Sequence, residues 1–375
     1  MNLKQRLINF RKYMKDSDID LSIIINFENQ MYFTGFKAVI YSRPIILLIT
    51  QNSIDAILPE LEKNNFEKTT GIKNLHVYSE VKNDNASSFI ELLKEQLSKY
   101  NSPITVGIEE NILSTKIYKL IKEYNYTTKD IGDALTNLRT IKSEDEKEAI
   151  KLSSDLVSNA LKKTIEATKP GMTELQIDSI GNEYLFNTIS KEFPEATFSF
   201  FVMSPSGKRT TLPHTFSNVT EIKSGDIIIH SRQVELNGYR SECERTFVVD
   251  HCTKEQARAF NTMVKAHQAA LDFIKVGVKA KEVDQVARKV FEEAGYGEYI
   301  NHRTGHGIGI GQHEEPSLRY DNELVLEEGM VFCVEPAIYI PGIGGFRHSD
   351  TVALNKNGTE VLTSYPHNLS ELTIK

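Results

Sequence analysis

Two helix stops 106 residues apart constrain the fold of this chain more than any other feature. KPGMTE, around Gly171, closes an apolar-periodic stretch that runs from Ser143 to Thr168, and KVGVKAKE, around Gly277, closes another from Thr253 to Ile274. Glycine tolerates the left-handed cap and proline cannot continue a helix, so both stretches end there. An amphipathic helix follows each stop, and strand-like sequence follows each helix. A unit used twice at a fixed offset reads as an internal duplication, and two helix–strand halves can curve one sheet around a central cleft. Coincidence between two ordinary helix stops is the alternative.

The first third is organised differently. An amphipathic helix over Leu3 to Lys15 precedes the apolar runs LSIIIN (21–26), PIILLIT (44–50) and SIDAILP (53–59), a helical stretch after Asn85, and ITVGIEE (104–110). Short β-branched runs alternating with helices imply an α/β domain. Ser143 with Glu146 forms a capping box at the start of the long helix. The boundary therefore falls just before it, giving an α/β domain over 1–138 and a second domain over 139–375. Two domains suit 375 residues, more than one core usually organises.

Composition excludes several functions. A net charge of −7 with no basic stripe offers nothing to displace counterions from phosphates, so nucleic acid is not an expected partner. No run approaches the ~18 apolar residues of a membrane span, and MNLKQRLINF lacks the apolar core of a signal peptide. A cytoplasmic protein without membrane association is the expectation. Cys243, Cys252 and Cys333 are odd in number and lack zinc or redox spacing, which reads as reduced, mostly buried thiols.

Four segments of the second half set polar residues in strand-like sequence: PHTFSN with His214, GDIIIHSRQVELNGYRSECERTF, RTGHGIGIGQHEEP, and MVFCVEPAIYIPGIGGFRHSD. In SECERTF, Glu242 and Glu244 lie two apart and share one strand face. Glu335 sits between apolar runs. Two carboxylates about 4 Å apart repel by roughly 4 kcal/mol at an effective dielectric near 20, so a metal, a proton or a charged substrate must complete the site. Pairing of Glu242 and Glu244 with Arg240 and Arg245 on a solvated face is the plain alternative. In GHGIGIGQHEEP, His306 and His313 are flanked by glycines that let other segments approach closely.

Taken in order, GHGIG, HEEP, MVFCVEP and GGFRHSD resemble the signatures of the pita-bread family that contains methionine aminopeptidase, Xaa-Pro aminopeptidase, prolidase and creatinase. The N-terminal domain resembles that of creatinase and prolidase, so the likeness covers essentially the whole chain. It implies an α+β protein: a C-terminal pita-bread domain behind a creatinase-type α/β domain. Metallopeptidases of this fold hold two ions with two aspartates, one histidine and two glutamates. By motif those positions are Ser231, Glu242, His306, Glu335 and Ser349. Two are serines, and a neutral hydroxyl is a poor ligand for Mn²⁺, Co²⁺ or Zn²⁺. His230 and His348 adjoin the lost positions but belong to the opposite strand face.

The departures run towards creatinase, which is similar in fold and works without metal. By that resemblance His214 is the proton-transferring histidine, and Glu244 and Glu335 hold a cationic group. Tyr41 and Arg43 of IYSRP reach the partner subunit's site, which implies a homodimer. Glu242, Arg319 and Arg347 fall among the implied substrate contacts, with Ser317 at the strict position of a carboxylate-binding arginine. The leading expectation is a metal-independent C–N hydrolase acting on a small creatine-, ectoine- or amidino-acid-like zwitterion, with His306 and His313 also catalytic and no cofactor. The rival is a metal-dependent Xaa-Pro dipeptidase or aminopeptidase, with one Mn, Co or Zn ion on Glu242, His306 and Glu335. A binding protein that has lost catalysis is the third.

Overall fold

Apolar runs with both faces covered become central strands, and in the computed structural model all four residues of Leu21–Ile24 and of Ile46–Ile49 are buried. The structure describes residues 2–39, 42–81 and 87–375, so Tyr41 lies outside the described residues. Two compact units form, Met1–Arg139 and Thr140–Lys375.

In the first unit, six strands run in the order Leu75–Tyr78, Ile54–Pro59, Ile46–Ile49, Leu21–Ile24, Thr105–Ile108, Thr127–Asp130. Leu21–Ile24 pairs antiparallel with Ile46–Ile49 and parallel with Thr105–Ile108, so the sheet is mixed. Leu21, Ile23, Ile46 and Ile57 pack against Leu93 and Leu97 of helix Phe89–Leu97 and Ile117 and Ile121 of helix Thr115–Glu123.

The second unit carries the repeat. Helices Glu144–Ala167 and Glu174–Glu192 precede one set of strands; helices Lys254–Phe273 and Ala280–Glu293 precede another. Glu146 caps the first by accepting from the Ser143 N–H and hydroxyl, each at 3.0 Å. Gly171 (φ +89°) and Gly277 (φ +93°) take the left-handed conformation their stops require. Matching hydrogen bonds follow: Gly171 N–H donates to Ile222 O and Gly277 N–H to Leu326 O, both at 2.9 Å. Equivalent turns making equivalent bonds favour duplication over coincidence.

Among the described residues these halves build one nine-stranded sheet. Its main path runs Glu314–Leu318, Gly305–Gly307, Val331–Val334, Ser349–Asn355, Tyr239–Val249, Ile227–Leu236, Phe198–Met203. On Tyr239–Val249, Cys243 and Phe247 point into a core shared with Val157, Leu161, Phe260 and Met263 of the long helices. Each fully buried Phe there contributes roughly 1.5–3 kcal/mol by leaving water. By strand alternation Glu242 and Glu244 face the other way. The three cysteines are unbonded, and no described helix is long and apolar enough to cross a membrane.

Candidate active site

Register brings the polar segments together. Glu244 lies opposite Ser231 on one neighbouring strand and Ser349 on the other, and Glu242 lies opposite Gln233. His306 pairs with Cys333, which puts Glu335, two residues on, at the end of the adjacent strand. Glycine on both sides of His306 is a packing requirement. A Cβ at Gly305 would stand 2.0 Å from Cys333 O, and one at Gly307 2.2 Å from Glu315 O.

Three carboxylates and an imidazole converge. Glu242, Glu244 and Glu335 each offer an oxygen within 4.8 Å of the others, and a Glu242 oxygen, a His306 nitrogen and Cys333 Sγ form a second such group. Glu242 accepts from Gln233 Nε2 at 2.5 Å and from Ser349 Oγ at 2.8 Å. Burial works against its charge, but His306, Gln233 and Ser349 outweigh it and hold the pKa below the usual value. Burial, followed by the charges of Glu242 and Glu244, drives Glu335 well above the carboxylate range. His306 Nδ1 faces Gly307 O at 3.0 Å. A carbonyl only accepts, so Nδ1 carries a hydrogen, and in the neutral imidazole, the form that burial favours, Nε2 presents a lone pair. That lone pair lies 3.4 Å from Glu335 Oε1 and 4.0 Å from Glu242 Oε2, so a proton on Glu335 or a metal ion must stand among these groups.

Around this centre stand four further groups. The His313 ring lies 4.1 Å, centroid to centroid, from that of His306; desolvation and then His306 lower its pKa to about 4. His302 donates from Nδ1 to Arg303 O at 2.7 Å, and its Nε2 accepts from Tyr339 OH at 2.9 Å. Burial, then Arg347, lowers His302 to about 3, so it stays neutral; His214 adds a smaller push to both His302 and His313. His214 itself is exposed on the loop after Gly207–Thr211. Arg303 is half-buried, donates to Ser317 Oγ at 3.1 Å, and acts electrostatically on His306, His313 and Glu335. Among the described residues Arg303 forms no ion pair.

Several sequence expectations change. Glu244 does not present free charge to a substrate cation, because Arg347 grips it with two N–H groups, one at 2.9 Å to Oε1 and the other to Oε2. Arg347 is likewise not a substrate contact. It is 2% exposed, and its remaining bonds go to Tyr339 OH at 2.8 Å and Pro213 O at 3.3 Å. Arg319 is turned to solvent and pairs with Asp321 at 2.5 Å, since its strand has ended and nothing holds it inward. Arg43 bonds Glu80 at 2.6 Å within the first unit. Pairing of Glu242 and Glu244 with neighbouring arginines is also overturned: Arg240 binds Glu235 at 3.1 Å, and Arg245 binds Asp350 on the helix-packed face. His230 and His348 do lie away from the site, on Ser204 and on Thr246 with His367. Arg303, His302, Tyr339 and Gln233 were not anticipated. Arg303 opens the RTGHGIG segment and was open to notice there; the others carry no local signal.

The donor set decides what cation fits. One divalent ion could be held by Glu242, His306 Nε2 and Glu335, a mixed imidazole–carboxylate set of the kind borderline metals accept. Two do not fit. Ser231 and Ser349 spend their hydroxyls on Glu244 and Glu242, and the Arg347 guanidinium already neutralises Glu244.

Comparison with known proteins places this geometry. The profile described as metallopeptidase family M24 matches residues 148–356, and the creatinase/prolidase N-terminal domain matches 6–141. The chain is 32% identical to an Xaa-Pro dipeptidase of Pyrococcus horikoshii over 96% of this chain and 97% of that one. It is 31% identical to the Xaa-Pro dipeptidase of Pyrococcus furiosus over 96% and 98%. Among solved structures, the prolidase from Pyrococcus horikoshii superposes with a TM-score of 0.85 at 29% identity, covering 97% of this chain and 99% of that one. For the Xaa-Pro dipeptidase from Bacillus anthracis the values are 0.84, 26%, 98% and 99%. The chain is a pita-bread hydrolase of the creatinase/prolidase type and belongs to metallopeptidase family M24.

Proposed function

We propose that this protein hydrolyses the C–N bond of a small substrate with a free carboxylate, a dipeptide of the Xaa-Pro class, using a single divalent ion. The observation that carries the reading is the convergence of His306 Nε2 with Glu335 at 3.4 Å and Glu242 at 4.0 Å, a mixed imidazole–carboxylate set that one divalent ion can bridge in place of a proton on Glu335. The names of the relatives support the substrate class. An ion on Glu242, His306 and Glu335 would polarise the scissile carbonyl and acidify a bound water. Arg303 faces the same space and binds the substrate carboxylate through its fork. Without the ion, Glu335 favours its protonated form because of burial and the neighbouring Glu242 and Glu244; with an ion bound it would be ionised and serve as a ligand. His214, on the exposed rim, gives a proton to the leaving nitrogen. A homodimer in the cytoplasm remains part of this reading, with Arg43 as the sequence's candidate contact.

Metal-free hydrolysis of a creatine-, ectoine- or amidino-acid-like zwitterion is the second reading. The Glu244–Arg347 pair favours it, because a guanidinium stands where a second charge-neutralising ion would be needed. Metal content with and without His306→Ala, together with hydrolysis of an Xaa-Pro dipeptide and of creatine before and after EDTA, tests both. One ion lost in the variant and EDTA-sensitive dipeptide turnover support the proposal. EDTA-insensitive creatine turnover transfers the argument to the second reading, and loss of two ions overturns both.

A further inference from the structure

Behind the sheet, on the face packed against the helices, His267, Asp350 and His367 form a second group independent of the function proposed above. Each offers one ligand atom, and the three atoms lie within 4.8 Å of one another. His267 projects from helix Lys254–Phe273, Asp350 from strand Ser349–Asn355 and His367 from the segment before the C-terminal strand Thr373–Ile374.

Hydrogen-bond accounting leaves one buried nitrogen of this group unanswered. His267 is 1% exposed, its ring hydrogen-bonds the Val334 backbone, and Nε2 has no hydrogen-bond partner, which leaves Nε2 as the free nitrogen of a neutral ring. Asp350 Oδ2 is 3.3 Å from that nitrogen with no hydrogen bond between them. Two ligands of a tetrahedral ion at ~2.0–2.1 Å stand about 3.3 Å apart, the same separation. Asp350 Oδ1 is already occupied, by Arg245 at 2.8 Å and Thr363 Oγ1 at 2.6 Å, which orients the carboxylate and leaves Oδ2 for the group.

Arg245 balances the charge of Asp350 through Oδ1 but has no hydrogen left for the imidazoles. Its five N–H groups are taken up by Pro366 O, Glu244 O, Ser349 O, Asp350 Oδ1 and Tyr365 O. His367 Nε2, 3.0 Å from the guanidinium, is therefore a sixth contact without a hydrogen of its own. The same nitrogen is 2.7 Å from Asp350 Oδ2, where it now donates. Exchange of that one hydrogen for an ion would leave every Arg245 bond in place. Access exists as well. The His367 side chain is 35% exposed and lines a cavity of about 660 Å³ with Thr363, Ser364, Tyr365 and Glu371, from which water can supply the fourth ligand.

We propose that His267 Nε2, Asp350 Oδ2 and His367 Nε2 form a binding site for a borderline divalent ion of the zinc class, tying the C-terminal segment to the helix and the sheet. Two imidazoles and one carboxylate suit zinc, and not the oxygen-seeking magnesium or calcium. An ion bound only by the folded protein stabilises it by mass action.

The test uses the full chain carrying His306→Ala, which removes the imidazole of the front site, stripped with chelator and then equilibrated with zinc or cobalt. One retained zinc per chain is expected, with visible absorption of four-coordinate cobalt and a zinc-dependent rise in the melting temperature. All three should vanish in His306→Ala/His367→Ala, where the second change is on a half-exposed loop and leaves the core filled. His267→Gln provides a second arm, its fold checked by circular dichroism. The proposal fails if His306→Ala retains no zinc after equilibration, or if the zinc content is the same with and without His367.

Discussion

Replacing Glu244 by Gln tests whether this carboxylate neutralises Arg347 or awaits a substrate. Both residues are 2% exposed, and the guanidinium is fixed by its two bonds to the carboxylate. Removing one partner of a buried ion pair typically costs about 3–5 kcal/mol because the other charge remains. Gln keeps one carbonyl to accept one N–H, so the lower end applies, about 3 kcal/mol. The second unit spans residues 140–375, and for a domain of that size each kcal/mol shifts the melting temperature by about 2–4 °C. Glu244→Gln should therefore melt roughly 6–12 °C below the parent protein by circular dichroism. Glu244→Gln/Arg347→Met, which removes the orphaned charge as well, should recover at least half of the loss, a coupling that independent sites do not show. A single variant melting within about 2 °C of the parent, or a double variant at the sum of the two single losses, would refute the pairing argument.

Arg303→Ala should raise KM for an Xaa-Pro dipeptide by roughly 10–100-fold, the loss of a charged hydrogen-bond pair worth about 1.5–3 kcal/mol; equal KM in variant and parent removes Arg303 from the carboxylate contact. His214→Ala should lower kcat by roughly 10²–10⁴-fold with the fold intact, as for loss of a general acid, and near-parent turnover would exclude that role. Glu335 gives a pH signature. Its folded-state pKa is raised, so above the ordinary value of ~4.3 the native protein still holds a proton that the unfolded chain has released, and stability falls as pH rises through that window. Melting of metal-free protein across this range should show the slope, and Glu335→Gln should flatten it; identical pH profiles would contradict the assignment.

Local chemistry carries the parts of this protein that were legible in order along the chain. Gly171 and Gly277 announced two equivalent turns because a left-handed helix cap is a one-residue requirement. LSIIIN and PIILLIT announced central strands, since only a strand covered on both faces stays apolar throughout. Glu242 and Glu244 could be placed on one face, away from Cys243 and Arg245, because a strand alternates with period two. Partner choice across strands belongs to the tertiary structure. Sequence spacing put Arg245 beside Glu244, yet alternation turned it to Asp350, while Arg347, 103 residues away, closed on Glu244 through sheet register and the antiparallel pairing of Ala337–Ile340 with Gly344–Arg347. Arg319, two residues past the strict position held by Ser317, lies beyond its strand and pairs with Asp321, while Arg303, bonded to Ser317, stands nearer the site. Separation in sequence sets which face a side chain uses; only the folded sheet sets which charge it meets there, because Coulomb and hydrogen-bond energies depend on distances that no local pattern encodes.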